Sequence, residues 1–294
     1  MKVLKNILKV IKVIVVIAVV AAITVVGLNF LIKSPNNQSA KNGLNPQTVK
    51  TATTKKVLKK VHYVAIGDSL TYGIGDATEN GGYVPLVKSQ LANDDRTDVV
   101  SQNFGVSGDT STQVYQRIVK QPKIQRGLAQ ANLITMTIGA NDLMHIINKN
   151  VMNMDLKKVE SARTTYQANL ERLLKKIRSY NKTAPIFLAS IYNPFYVYFP
   201  QITDMKTAMD DWNATAQKVI KEFDQTYYVD IDQVMTQPKG SVLANNKAKK
   251  EALNPYLFTE DHFHPNNRGY QAISQQFIKQ IQARKTTWLY QVSK

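Results

Sequence analysis

The chain has 294 residues, 38 Lys and Arg against 21 Asp and Glu, a net charge of +17, four His and no Cys. Such a length holds one domain of about 220 residues plus extensions. Absence of cysteine excludes disulfides, thiolate metal sites and a lipid on an N-terminal cysteine. The histidines show no His-Glu-x-x-His spacing, so no metal and no other cofactor is expected.

The charge is unevenly spread. Residues 1–60 hold 11 lysines and no acidic residue, which leaves +6 (17 − 11) for the remainder. A high pI can mark a nucleic-acid binder, but here the excess surrounds an apolar run and no nucleic-acid motif accompanies it, so no nucleic-acid partner is expected. Residues 1–12 form a basic leader with Lys2, Lys5, Lys9 and Lys12. The uncharged stretch 13–32 follows, closed by Lys33. As a helix it would extend about 30 Å, the thickness of a bilayer's hydrocarbon core. The leader fits the positive-inside rule. A transmembrane signal-anchor with the N-terminus inside is expected, placing the rest of the chain outside the cell membrane. The alternative is secretion after cleavage of a signal peptide, for which Gln38-Ser39-Ala40 is a poor exit because its first position is not small. Residues 33–60, rich in Asn, Gln, Ser, Thr and Lys, read as a flexible basic linker. Its lysines can meet anionic lipid heads or wall polymers.

From 61 to 284 strand-like and helix-like runs alternate. Strands are predicted at Tyr63–Ile66, Asp98–Asn103, Leu133–Ile138, Pro185–Ser190 and Tyr227–Ile231. Helices are predicted at Leu156–Tyr180, where Leu170, Leu173, Leu174 and Ile177 recur at helical spacing, at Thr203–Gln225 and at Arg268–Ala283. Such alternation predicts an α/β fold, a three-layer α/β/α sandwich around a five-stranded parallel sheet. The tail 285–294, with Trp288 and Tyr290, either packs on the domain or touches a membrane.

Four strings within this domain carry chemistry. Ser69 stands in Ile66-Gly67-Asp68-Ser69-Leu70, directly after the apolar Val64-Ala65-Ile66. Next come Asn103-Phe104-Gly105-Val106-Ser107-Gly108 and Gly139-Ala140-Asn141-Asp142, and last Asp261-His262-Phe263-His264-Pro265. Serine is a poor nucleophile until an imidazole takes its proton, and the imidazole needs a carboxylate to fix its tautomer. Attack on an ester carbonyl also creates an oxyanion that needs donors already aimed at it. The Ser69 N–H, the Gly105 N–H and the Asn141 amide are candidates, each at the exit of an apolar run and therefore on the ligand-binding rim of a parallel sheet. Taken singly, each string has an ordinary reading as turn, helix cap or Asx turn. Asp68, Asp109 and Asp142 read as turn or cap residues, His262 as a loop neighbour, and His145 as a residue bordering the cleft. The four strings in this order are a joint signal.

On those strings the chain resembles the SGNH family, also called GDSL esterases and lipases. The likeness covers roughly residues 61 to 284. It implies a flavodoxin-like sandwich, with Ser69 as nucleophile, His264 as base and Asp261 as its acid. It also implies an oxyanion hole from Ser69, Gly105 and Asn141, and no metal. Substrates across the family range over lipid, thioester, aryl and carbohydrate esters. The expected activity is hydrolysis of a small-molecule or lipid ester. The alternatives are a cell-wall carbohydrate O-deacetylase on the same residues, or a non-catalytic surface-binding domain. The segment Tyr192 to Phe199 holds five aromatics, with Pro194 within it and Pro200 closing it, and Phe195 and Tyr196 are candidate substrate contacts.

Overall fold

The computed structural model describes residues 55–147, 155–244 and 251–292. The expected leader, the signal-anchor at 13–32 and most of the linker lie outside them. Among the described residues no helix is long and apolar enough to cross a membrane.

Five parallel strands form the central sheet in the order β3-β2-β4-β5-β6. They are β2 (Lys60–Gly67), β3 (Asp98–Gly105), β4 (Leu133–Thr137), β5 (Ile186–Ala189) and β6 (Thr226–Val229). Every residue of β4 and β5 is buried, as expected of strands covered on both faces. Side chains alternate between two cores with the period of two that a pleated strand imposes. Val64, Ile66, Ile134, Met136, Ile186 and Leu188 enter one core. Val61, Tyr63, Ala65, Leu133, Phe187 and Ala189 enter the other.

Nine α-helices are described: α1 (Ser69–Tyr72), α2 (Tyr83–Asp95), α3 (Ser111–Lys120), α4 (Pro122–Gln130), α5 (Ala140–Ile147), α6 (Leu156–Tyr180), α7 (Thr203–Ile220), α8 (Asp232–Thr236) and α9 (Asn267–Gln282). Helices α3 to α7 contribute to the first core, and α2, α8 and α9 to the second. Local sequence explains the boundaries. Asp155 caps α6 by accepting from the N–H groups of Lys157 and Lys158, which satisfies donors that have no partner within the helix. Its stripe Tyr166, Leu170, Leu173, Leu174 and Ile177 is buried. Thr110 and Gln113 form a reciprocal capping box on α3, and Asn266 caps α9.

Two expected boundaries are corrected. Residues 55–60 are not linker: β1 (Lys55–Val57) pairs antiparallel with β7 (Tyr290–Val292), and Lys60 already opens β2. The tail up to 292 is likewise part of the domain. Trp288 is buried and donates from its indole Nε1 to the Ile281 carbonyl at 3.1 Å. That ring belongs to the second core together with Phe277 and Ile281, next to the strand that closes the ribbon. Hydrophobic periodicity does not show so short a pairing. Helix α7 also ends at Ile220, five residues before the expected Gln225.

Candidate active site

The first string of the site turns on a glycine. A Cβ at Gly67 would lie 2.2 Å from the Thr137 carbonyl oxygen, so only glycine lets β2 run this close to the end of β4. Asp68 follows, buried, with Oδ1 accepting from the Leu70 N–H at 3.0 Å and from the Thr137 hydroxyl at 2.7 Å. Burial raises its carboxyl above the ordinary value despite those two bonds. Its role is the brace and N-cap expected of it. Ser69 therefore begins α1 at the C-terminal rim of the sheet. Among the described residues no acceptor binds its backbone N–H.

The last string reaches the same point from the far side of the sheet. His264 Nε2 lies 3.0 Å from Ser69 Oγ, and His264 Nδ1 lies 2.7 Å from Asp261 Oδ2. The other Asp261 oxygen accepts from the backbone N–H groups of Phe263 (2.8 Å) and His264 (3.0 Å). Burial pushes this carboxyl upward, but the His264 ring and those N–H groups outweigh it and hold the group below its ordinary value. The loop is pinned by Phe258 N–H to the His264 carbonyl and by the Tyr192 hydroxyl to the Phe263 carbonyl, at 2.8 and 2.7 Å. His262, two residues before His264, points elsewhere: its Nδ1 meets the Tyr198 hydroxyl at 3.1 Å.

Asn141, the second residue of α5, shares a small cavity with Ser69 and His264. One amide proton of its Nδ2 goes to the Asp109 carbonyl at 2.9 Å, leaving the other for a ligand. Gly105 does not fit the expectation. Its N–H donates to Asn103 Oδ1 at 2.8 Å, and Asn103 Nδ2 in turn holds the Thr71 carbonyl at 2.7 Å. A Cβ there would sit 2.1 Å from Tyr72 N, so Gly105 serves the close approach of β3 and α1, and it does not line the cavity at Ser69. Three residues on, Gly108 is exposed at φ +82°, and among the described residues no acceptor binds its N–H. It directly precedes Asp109, the residue whose carbonyl Asn141 holds. Gly108 was visible in the second string but lay past the strand, where a residue's orientation has no period.

Arg117 escaped the sequence reading. From α3 it donates to Asp109 Oδ2 at 2.5 Å, to the Phe104 carbonyl at 2.9 Å and to the Gly67 carbonyl at 3.0 Å. One guanidinium thus ties together the strand ends that precede Ser69 and Gly108, a fork geometry available to arginine alone. Its sequence signal is weak: a single Arg two turns into a helix. Asp142 accepts from the Ser111 N–H and hydroxyl, at 2.9 and 2.5 Å, and so steadies the start of α3. His145 borders a separate hollow of about 460 Å³ with Asp142 and Lys158, not the cavity at Ser69. Within the aromatic segment, Tyr192 and Pro194 wall the cavity. Phe195 stands behind, with its ring 5.9 Å from that of Phe263, and Tyr196 is not part of the wall.

A parallel α/β sandwich with hydroxyl, imidazole and carboxylate gathered at its C-terminal rim defines an ester-hydrolysing enzyme. The chain belongs to the GDSL-like Lipase/Acylhydrolase family, whose model matches residues 65–272. It is 29% identical over 227 residues to the uncharacterized protein YpmR of Bacillus subtilis, covering 77% of this chain and 83% of that one. It is 26% identical over 219 residues to the spore germination lipase LipC of Bacillus licheniformis, covering 73% and 93%. Among solved structures it resembles the lipase Lip_vut3 from a goat rumen metagenome, with a TM-score of 0.58 and 27% identity over 74% of this chain and 95% of that one.

Proposed function

We propose that this enzyme is a serine ester hydrolase that works through a covalent acyl-enzyme, with Ser69, His264 and Asp261 as its relay. The observation that carries this reading is the unbroken chain of contacts, 2.7 Å from Asp261 to His264 and 3.0 Å from His264 to Ser69. His264 Nε2 takes the Ser69 proton as Oγ attacks the ester carbonyl. The tetrahedral oxyanion is met by the Ser69 N–H, the second Asn141 Nδ2 proton and the Gly108 N–H in place of Gly105. Collapse passes the proton from His264 to the departing alcohol and leaves Ser69 acylated. Water then attacks, giving its proton to His264, and the acid product leaves with Ser69 restored. Asp261 holds the imidazole in the tautomer that presents an unprotonated Nε2 to the serine. Ser69→Ala is expected to abolish both ester turnover and fluorophosphonate labelling. Retention of more than a tenth of wild-type turnover would overturn the assignment.

For location, the reading is a single-pass cell-membrane protein with its catalytic domain outside. The lysine-flanked apolar run at 13–32 supports this, since its length matches a bilayer span. The lipase name of the relative LipC fits an ester substrate.

A further inference from the structure

Two hollows of opposite character flank α1, the helix that carries Ser69. The first contains Ser69 and His264 and is walled by Ile191, Tyr192, Pro194 and Phe263. Asn141 shares it, it is partly open to solvent, and the space between these walls is about 20 Å³. A cavity needs at least about 10–15 Å³ to hold one water, so this one has room for a methyl group and little more. Its wall is clamped from outside. The Ile191 peptide is gripped at both ends by the Asn213 side chain of α7, N–H to Oδ1 at 2.9 Å and carbonyl to Nδ2 at 3.0 Å. The Asn193 N–H is held by the Thr236 hydroxyl at 2.8 Å, and Tyr192 is tied to the Phe263 carbonyl. Widening the niche for a longer acyl chain would break bonds made by buried groups, each costing more than one methylene returns.

The second hollow is about 670 Å³, within the range of ordinary small-molecule clefts. It starts at Tyr72, one helical turn beyond Ser69, and follows the glycine-rich loop 73–81 to Asn103 and Gly105. That loop abuts the His264 segment, because a Cβ at Gly75 would fall 2.4 Å from the Pro265 carbonyl. Tyr72 is 55% exposed, a flat apolar face beside backbone amides that a sugar ring can use. Its charged lining groups are Asp76 and Glu79, both acidic. Asp76 is committed to Thr78 and Gly82, while Glu79 is exposed. A phosphate or carboxylate on the alcohol half of the ester would be repelled there.

We propose that the site selects acetyl esters of uncharged polyhydroxy alcohols, carbohydrates above all, with the acetyl methyl in the niche and the alcohol in the polar cleft. This rests on the serine esterase reading above. No further reactant is needed: water supplies the hydroxyl of acetate and the proton of the released alcohol.

The test uses the full-length protein in mild detergent. On p-nitrophenyl esters from acetyl to octanoyl, kcat/KM should peak at acetyl and fall at least tenfold by butyryl. Ile191→Ala should move the peak to propionyl or butyryl. If that variant folds poorly, the milder Ile191→Val should still raise the propionyl-to-acetyl ratio severalfold. Monoacetylglycerol should exceed its 3-phosphate by at least tenfold in kcat/KM, and Glu79→Lys should narrow that gap. A wild-type profile that climbs toward octanoyl, or equal turnover of the phosphate, overturns this inference and leaves the esterase reading standing. Absence of any Ser69-dependent hydrolysis or fluorophosphonate labelling overturns the esterase reading and this inference with it.

Discussion

At the scale of single residues, position within the hydrogen-bond network separates near-identical side chains. His264 touches both Ser69 and Asp261, whereas the ring of His262, at φ +51°, meets the Tyr198 hydroxyl. His264→Ala should therefore be nearly as damaging as Ser69→Ala in kcat/KM, and His262→Ala mild. If His262 proves the more sensitive, the relay is misassigned. The proposed relay also carries an expectation for the pH profile, through Asp261. Because its carboxyl is held below the ordinary value, it loses its proton at a lower pH than a free carboxyl, near 3.9. It is thus already anionic throughout the range in which an imidazole titrates. The acid limb of log(kcat/KM) should therefore fall with a slope of one, from a single group. A limb of slope two would show that Asp261 takes up a proton in the same range. Asn141→Ala should lower kcat by roughly a hundredfold to a thousandfold, the effect of one lost oxyanion donor, with little change in Tm. Gly105→Ala should do the reverse. Its new Cβ meets the Tyr72 backbone, so the loss should register in urea unfolding, at about 2–3 kcal/mol.

Among elements, the short β1–β7 ribbon carries more weight than its three residue pairs suggest. Its strands frame Trp288 and Leu289, both buried in the second core with Phe277 and Ile281 of α9. Helix α9 starts directly after the His264 loop, and its Asn266 cap also holds the Pro255 and Leu257 carbonyls with Nδ2. Packing at the chain end is thus relayed to the site through one rigid helix. Trp288→Ala should cost about 3–5 kcal/mol, the usual range for emptying a buried large aromatic site. The cost is read as a lowered urea midpoint with an unchanged m-value. A loss below 1 kcal/mol would show that the ribbon is dispensable.

For the molecule as a whole, the placement of the apolar run at 13–32 ahead of the domain gives a topological expectation. Expressed in full, the protein should stay with the membrane fraction through a high-salt wash, and protease added to intact protoplasts should remove the catalytic domain. Product free in the medium, with a new N-terminus between residues 33 and 50, would instead indicate a cleaved signal. A chain starting near Lys55 should keep esterase activity, since β1 (Lys55–Val57) opens the described domain.

By itself the sequence determined the sandwich and its five strands, because apolar runs separated by helical periodicity leave few ways to bury both faces of a sheet. It also located Ser69, Asn141, Asp261 and His264, since each sits in a short string at a strand exit or in one local Asp-x-x-His turn. Only the tertiary structure decided which donors and walls face the cavity. The Gly105 N–H is taken by Asn103, whose own amide is anchored on Thr71, thirty-two residues away. That bond exists only once β3 lies beside α1. The wall is made by Tyr192 and Pro194 rather than by Phe195 and Tyr196, because the loop leaving β5 is aimed by Asn213 and Thr236 from two other elements. Arg117 and the β1–β7 ribbon are of the same kind. Periodicity reports which face of an element is buried; the aim of a residue beyond its strand is set by partners far along the chain, and no local pattern encodes them.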